Sequence, residues 1–308
     1  MQQGNGSIGI LSPEVQKIIL ENMTLPDLMS FAKTRIENRE GITEYIAKRR
    51  AGLFRAYVHD VDALIKVLDR TGSLVSGSSA LSLVQAEAEA VVTQDLDFYV
   101  TESFEAEVVK HFKENEGYVS KQDVVKKPEY DSSAISKIIK LANGDKKIDI
   151  ITTHWTCAIA PILQFHSTAV MNYVTAQSIV SLYPRWTAAN MSFVNPQMYV
   201  CGKTNLRTVD VLMKYIRRGF KISADPFSLG EHDCEENKEK KKNSGYCPHK
   251  MRSTVDDEVL KWDFGPKETL GDTSITCQDL RVMAWCLGGF ECADGNKEET
   301  VSYMLVTA

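Results

Sequence analysis

The chain has 308 residues, 43% hydrophobic and 25% charged, with a formal net charge of −5. That balance is globular, and it excludes a broad nucleic-acid-binding face while leaving a local basic patch open. No run approaches the ~20 apolar residues of a membrane span, the start lacks a secretory signal pattern, and seven scattered cysteines read as reduced thiols, so a cytoplasmic or nuclear location is expected.

Residues 1–50 read as a helical segment. In LSPEVQKIILENMTLPDLMSFAKT, Ser12 can cap a helix with Pro13 at its first position. Val15, Ile18 and Ile19 form one apolar stripe, and Leu25, Leu28 and Phe31 form another. Helix is expected to continue through residues 51–70. GSLVSGSSALSLVQAEAEAVVTQ then predicts a short strand over Leu74 and Val75, a small-residue turn and a helix; DLDFYV predicts the next strand. ESFEAEVVKHFKENEG reads as an amphipathic helix burying Phe104, Val108, Val109 and Phe112. AISKIIKLANGDKKIDIITT reads as a β-hairpin turning at Asn143-Gly144, with Asp149 on its second arm.

Asp95 and Asp97 stand two residues apart in a run of β-formers, so both side chains point to one face. Adjacent carboxylates repel unless a positive charge lies between them. The pair is therefore either a solvated strand edge or a pair of metal ligands. Further on, His166 and Ser167 precede a predicted apolar helix through Met171, Tyr173 and Val174, which Tyr183-Pro184-Arg185-Trp186 ends. Tyr183 and Trp186 read as core, with base stacking as the alternative. In RTVDVLMKYIRRGF the spacing predicts a helix whose core stripe is Val209, Leu212, Met213, Ile216 and Phe220. Arg207, Lys214 and Arg218 fall on another face and read as a solvated face or as a grip for a triphosphate. Residues 231–245 read as a charged loop. Around it His232, Cys234, Cys247 and His249 form H-x-C…C-x-H, but structural zinc pairs mostly leave two to four residues between ligands, so zinc is not expected. Trp262, Phe264, Trp285 and Phe290 mark a small C-terminal element.

Taken in order, the strand, Gly77-Ser78, the helix, Asp95-Leu96-Asp97 and an antiparallel strand bearing Asp149 resemble the nucleotidyltransferase superfamily, the fold of polymerase β. The resemblance covers residues 70–155 and, more loosely, the chain to about 225. It implies an α+β fold: a mixed sheet with flanking helices, a helical N-terminal segment and a helical C-terminal half. It divides the chain into residues 1–50, a core at 51–155, a helical region at 156–225 completing the cleft, and a charged loop with a small element at 226–308. It implies Mg²⁺ or Mn²⁺ on Asp95, Asp97 and Asp149, and an NTP held by Gly77, Ser78, Arg207, Lys214 and Arg218. The implied reaction moves an NMP to a hydroxyl on RNA, protein or a small molecule. The seventeen positions from Ser78 to Asp95 exceed the family's usual spacing, and an extra helical turn is expected to absorb them. Leu11-Ser12-Pro13-Glu14 with the following LPDLMSFAKT resembles an F-box, whose partner is a Skp1-type adaptor; fungal proteins join such a segment to a nucleotidyltransferase-like domain. The alternative function is therefore a non-catalytic adaptor with a nucleotidyltransferase-like scaffold, and no membrane partner is expected.

Overall fold

The computed structural model describes residues 11–121, 125–126, 133–199, 206–230, 246–264, 282–289 and 303–306. It opens with helices α1 (Pro13–Glu21), α2 (Leu25–Ala32), α3 (Ile36–Arg55) and α4 (Val61–Thr71). Local chemistry sets their starts. Ser12 caps α1, Asp60 caps α4, and Thr24 and Asp27 form a reciprocal capping box on α2. Gly72, left-handed at φ +61°, ends α4. Helix α3 runs across position 50, and the expected continuous helix over 51–70 is interrupted between Arg55 and Val61.

Strand β1 (Leu74–Ser76), helix α5 (Gly77–Val84), strand β2 (Leu96–Thr101) and helix α6 (Glu105–Lys110) follow, then short strands β3 (Val119–Ser120) and β4 (Val125–Lys126). The hairpin is β5 (Ile135–Asn143) and β6 (Lys146–Thr153), turned by Gly144 at φ +59°. Helix α7 (Ala160–Leu163), strands β7 (Asn172–Val174) and β8 (Ser178–Ser181), helix α8 (Pro184–Ala188), strand β9 (Met191–Phe193), helix α9 (Leu206–Arg217) and strand β10 (Lys221–Ser223) come next. The last strands are β11 (Arg252–Ser253), β12 (Leu260–Asp263), β13 (Met283–Cys286) and β14 (Tyr303–Val306).

Among the described residues, the principal sheet has nine strands in the order β12-β8-β7-β1-β2-β6-β5-β3, with β4 also on β5. It is mixed, and the chain is α+β as expected. The hairpin arms β5 and β6 are antiparallel to each other, but β6 runs parallel to β2. The Asp149 strand is thus antiparallel only to its hairpin partner. The expected helix through Met171 and Val174 is instead a short 3₁₀ turn followed by the antiparallel pair β7 and β8. An apolar run this short suits a fully buried strand as well as a helix, and flanking strands decide between them. The C-terminal half therefore carries strands as well as helices.

Alternation along the strands splits the core into two layers. Val75, Phe98, Ile150 and Val174 face the N-terminal helices, packing with Leu25, Leu28, Ile42, Phe54 and Leu64. Leu74, Tyr99, Ile151 and Tyr173 face the other way, toward α7, α8 and β13. Among the described residues, no helix is long and apolar enough to cross a membrane.

Candidate active site

Asp97 points into the second layer, at the end where apolar cover stops. Its register partners are Ser76 on β1 and Asp149 on β6. Aligned partners on adjacent strands share a face. Asp95 precedes β2 by one residue on that same face. The Asp95 carbonyl accepts hydrogen bonds from the Tyr57 hydroxyl at 3.1 Å and the Ser79 hydroxyl at 3.1 Å. These two contacts fix the backbone at the mouth of the strand.

Gly77, the first residue of α5, has φ +67°, and an added Cβ would collide with the Asp97 carboxylate. Glycine is required here on both counts: it accepts the left-handed backbone and lets the main chain lie against a carboxylate. Ser78 is buried in the first turn of α5. The expected extra helical turn is absent: α5 ends at Val84, and a 3₁₀ turn at Glu87–Glu89 and irregular chain cover the remaining distance to β2. Gln85 pins this detour by accepting from the Val91 amide at 3.1 Å.

Burial, reinforced by the charges of Asp95 and Asp149, pushes the Asp97 carboxyl up to about 7, against a smaller opposing pull from Lys214 and Lys140. Burial also raises Asp149, while its ion pair with Lys140 at 3.5 Å pulls the other way. Among the described residues, no three His, Cys, Asp or Glu side chains stand grouped to hold a metal ion. Asp149 engages Lys140, whose side chain is 56% exposed.

Helix α9 packs beside α5 and the turn at Thr168–Val170. It docks through Tyr215 and Val211 on Leu81, Val91 and Val170. Lys214 reaches the field of Asp97 from this helix. Arg218 lies over the Tyr215 ring at 5.2 Å and donates to the Val92 carbonyl at 3.0 Å. Arg207 stands about two turns before Lys214, near the helix start. The predicted core stripe holds at Phe220, which is buried, and in part at half-buried Leu212, and is corrected at Val209, Met213 and Ile216, which are exposed with Leu206 beside them. His166, whose ring lies 5.4 Å from Tyr215, is pushed down to about 4 by burial, so its imidazole is neutral.

Tyr183 and Trp186 are buried and stack on each other at 5.7 Å. They are core. His232 and Cys234 lie outside the described residues; Cys247 and His249 are partly buried just before β11. Lys140 and Tyr215 are the site residues that motif reading did not single out. Lys140 was recoverable from the hairpin register, which places it opposite Asp149 once the turn is fixed at Gly144. Tyr215 carried no local signal.

No protein-family model, no curated protein and no solved structure matches the chain significantly.

Proposed function

We propose that the chain is a metal-dependent nucleotidyltransferase that moves an NMP from an NTP to a hydroxyl acceptor. The observation that carries this reading is the in-register pair Asp97 and Asp149, with Asp95 two residues before Asp97 and the Gly77 backbone against the Asp97 carboxylate. An oxygen-only donor set suits Mg²⁺ or Mn²⁺. Like-charged, partly buried carboxylates also have an electrostatic reason to take a cation. When bound, such an ion polarises phosphoryl oxygens and favours deprotonation of a hydroxyl. Asp95 and Asp97 would hold it on the triphosphate side. Asp149, released from exposed Lys140, would complete the acceptor side. Gly77, Ser78 and the first turn of α5 offer backbone donors to phosphate, and Lys214 with Arg207 and Arg218 supplies positive charge from α9.

The test is incubation with each labelled NTP and Mg²⁺ or Mn²⁺, with cellular RNA or lysate as acceptor. Label transfer is expected, falling on the order of a thousandfold in the Asp95→Asn/Asp97→Asn double variant. Transfer at the wild-type rate by that variant rules out this site.

A second reading is favoured by one observation. Helix α1 turns Leu11, Val15, Ile18 and Ile19 outward, 36–60% exposed. That face is what an F-box-type adaptor would offer a Skp1-type partner. Leu25 and Leu28 of α2 are fully buried in the chain's own core and are not available to it. Co-purification with a Skp1-type protein that is lost in Ile18→Glu would support the adaptor reading.

A further inference from the structure

The row of carboxylates does not end at Asp149. Its register partner on β5 is Lys140. Beyond it the pairing Val119↔Ala142, Ser120↔Leu141 continues to Lys121, whose amide donates to the Lys140 carbonyl at 3.0 Å. Ser76, Asp97, Asp149, Lys140 and Lys121 therefore form one cross-strand row on one face. With strands about 4.8 Å apart, the stretch from Asp149 to Lys121 spans about 10 Å. Lys147, two residues before Asp149, shares the face and acts on Asp149 electrostatically. Lys121 and Lys147 are exposed.

Three lysines thus crowd the outer edge of the acid face. Among the described residues, the one carboxylate ion-paired with them is Asp149. Lys137, on the opposite face of the same strand, has its own carboxylate, Glu105 at 2.5 Å. Like charges on facing strand positions destabilise a sheet unless an anion joins them. From α9, Lys214 already acts on Asp97, and on the nucleotidyltransferase reading it would serve the triphosphate with Arg207 and Arg218. A neutral acceptor needs no second set of cations.

Resting on the nucleotidyltransferase reading, we infer that the acceptor is a single-stranded nucleic acid. Its terminal hydroxyl would lie at Asp149 and its phosphates would run outward over Lys140, Lys147 and Lys121. A polynucleotide end is the acceptor that carries the hydroxyl and a regular series of negative charges in one continuous chain. Lys140 then exchanges the Asp149 carboxylate for a phosphate, which frees Asp149 at the moment the acceptor is seated.

The experiment measures binding of a labelled single-stranded RNA oligonucleotide to the full chain over a salt titration. The variant is Lys121→Gln/Lys147→Gln, which leaves Lys140 and the carboxylates intact. Each phosphate contact on a single strand contributes about 0.7 to the slope of log affinity against log salt. The variant is expected to lose about 1.4 from that slope and on the order of tenfold in affinity. Its melting rise with Mg²⁺ and NTP should persist, since the carboxylates and α9 are untouched, and Lys121→Arg/Lys147→Arg should keep the wild-type slope. Equal slopes in wild type and the Gln variant overturn the inference and leave the lysines as ordinary protection of a sheet edge. So does a chain that ignores RNA but binds an acidic peptide through them. Lysine-dependent RNA binding without any NTP-dependent melting shift would instead sink the nucleotidyltransferase reading and keep the strand site.

Discussion

Asp97 is held where burial and the neighbouring charges of Asp95 and Asp149 disfavour its ionised form. Its pKa of about 7 lies well above the ordinary 3.8. The native state therefore binds more protons than the unfolded chain between about pH 4 and pH 7, and stability falls as pH rises through that window. Asp97→Asn is expected to flatten this slope and stabilise the metal-free protein at pH 8, by an amount on the order of a few kcal/mol at most. Urea unfolding at pH 5 and pH 8, with and without the substitution, measures it; a wild-type slope retained by the Asn variant rejects the assignment. Gly77 offers the complementary test. Gly77→Ala adds a left-handed non-glycine residue, costing about 1–2 kcal/mol, and drives a methyl into the same carboxylate. Loss of both stability and NTP response is expected, and a neutral outcome would mean that the loop relaxes away from Asp97.

Among the elements, α9 is the one whose buried face is rotated from expectation, although Phe220 just beyond it is buried as predicted. Its apolar residues Leu206, Val209, Met213 and Ile216 lie outside, while Tyr215 anchors it. Met213→Gln and Ile216→Gln should each change stability by within about 0.5 kcal/mol. Tyr215→Ala should cost about 3 kcal/mol or more by emptying a core site. Denaturant midpoints decide the matter, and the reverse ranking would restore the stripe as the packed face. The hairpin behaved differently. Asn143-Gly144 between two β-rich arms is a complete local instruction, and Gly144 adopts the positive φ that the turn needs.

On the scale of the whole molecule, the N-terminal helices share one core with the sheet. Leu25 and Leu28 lie with Phe98 and Ile150 in the same layer, and α3 carries that packing past residue 50. Leu28→Ala should therefore cost about 2–5 kcal/mol of the stability of the whole. The loss should register equally in far-ultraviolet dichroism and in tryptophan fluorescence, since the aromatic C-terminal part unfolds with the helices; separated transitions would show an independent N-terminal unit. Mg²⁺ with the preferred NTP should raise the melting temperature, by the equivalent of about 2.7 kcal/mol at a hundredfold excess over Kd. On the proposed reading protons and metal would compete for Asp97, so the rise is expected to be larger at pH 8 than at pH 5.

What the sequence alone determined was local: the caps of α1 and α2, the turn at Gly144, the alternation that puts Asp95 and Asp97 on one face, and the glycine that opens α5. Each follows from geometry within a few residues. What only the tertiary structure decided was which strand lies beside which and which side of a helix faces in. The chain segment around Met171–Ser181 is apolar enough for either helix or strand, and the neighbouring β1 and β12 made it sheet. Asp149 and Asp97 stand fifty-two positions apart, yet the parallel pairing of β6 with β2 puts them in register. The choice of buried face on α9 has the same origin: Tyr215 and Val211 pack with Leu81, Val91 and Val170, and those contacts, distant in sequence, decide which side of the helix faces in.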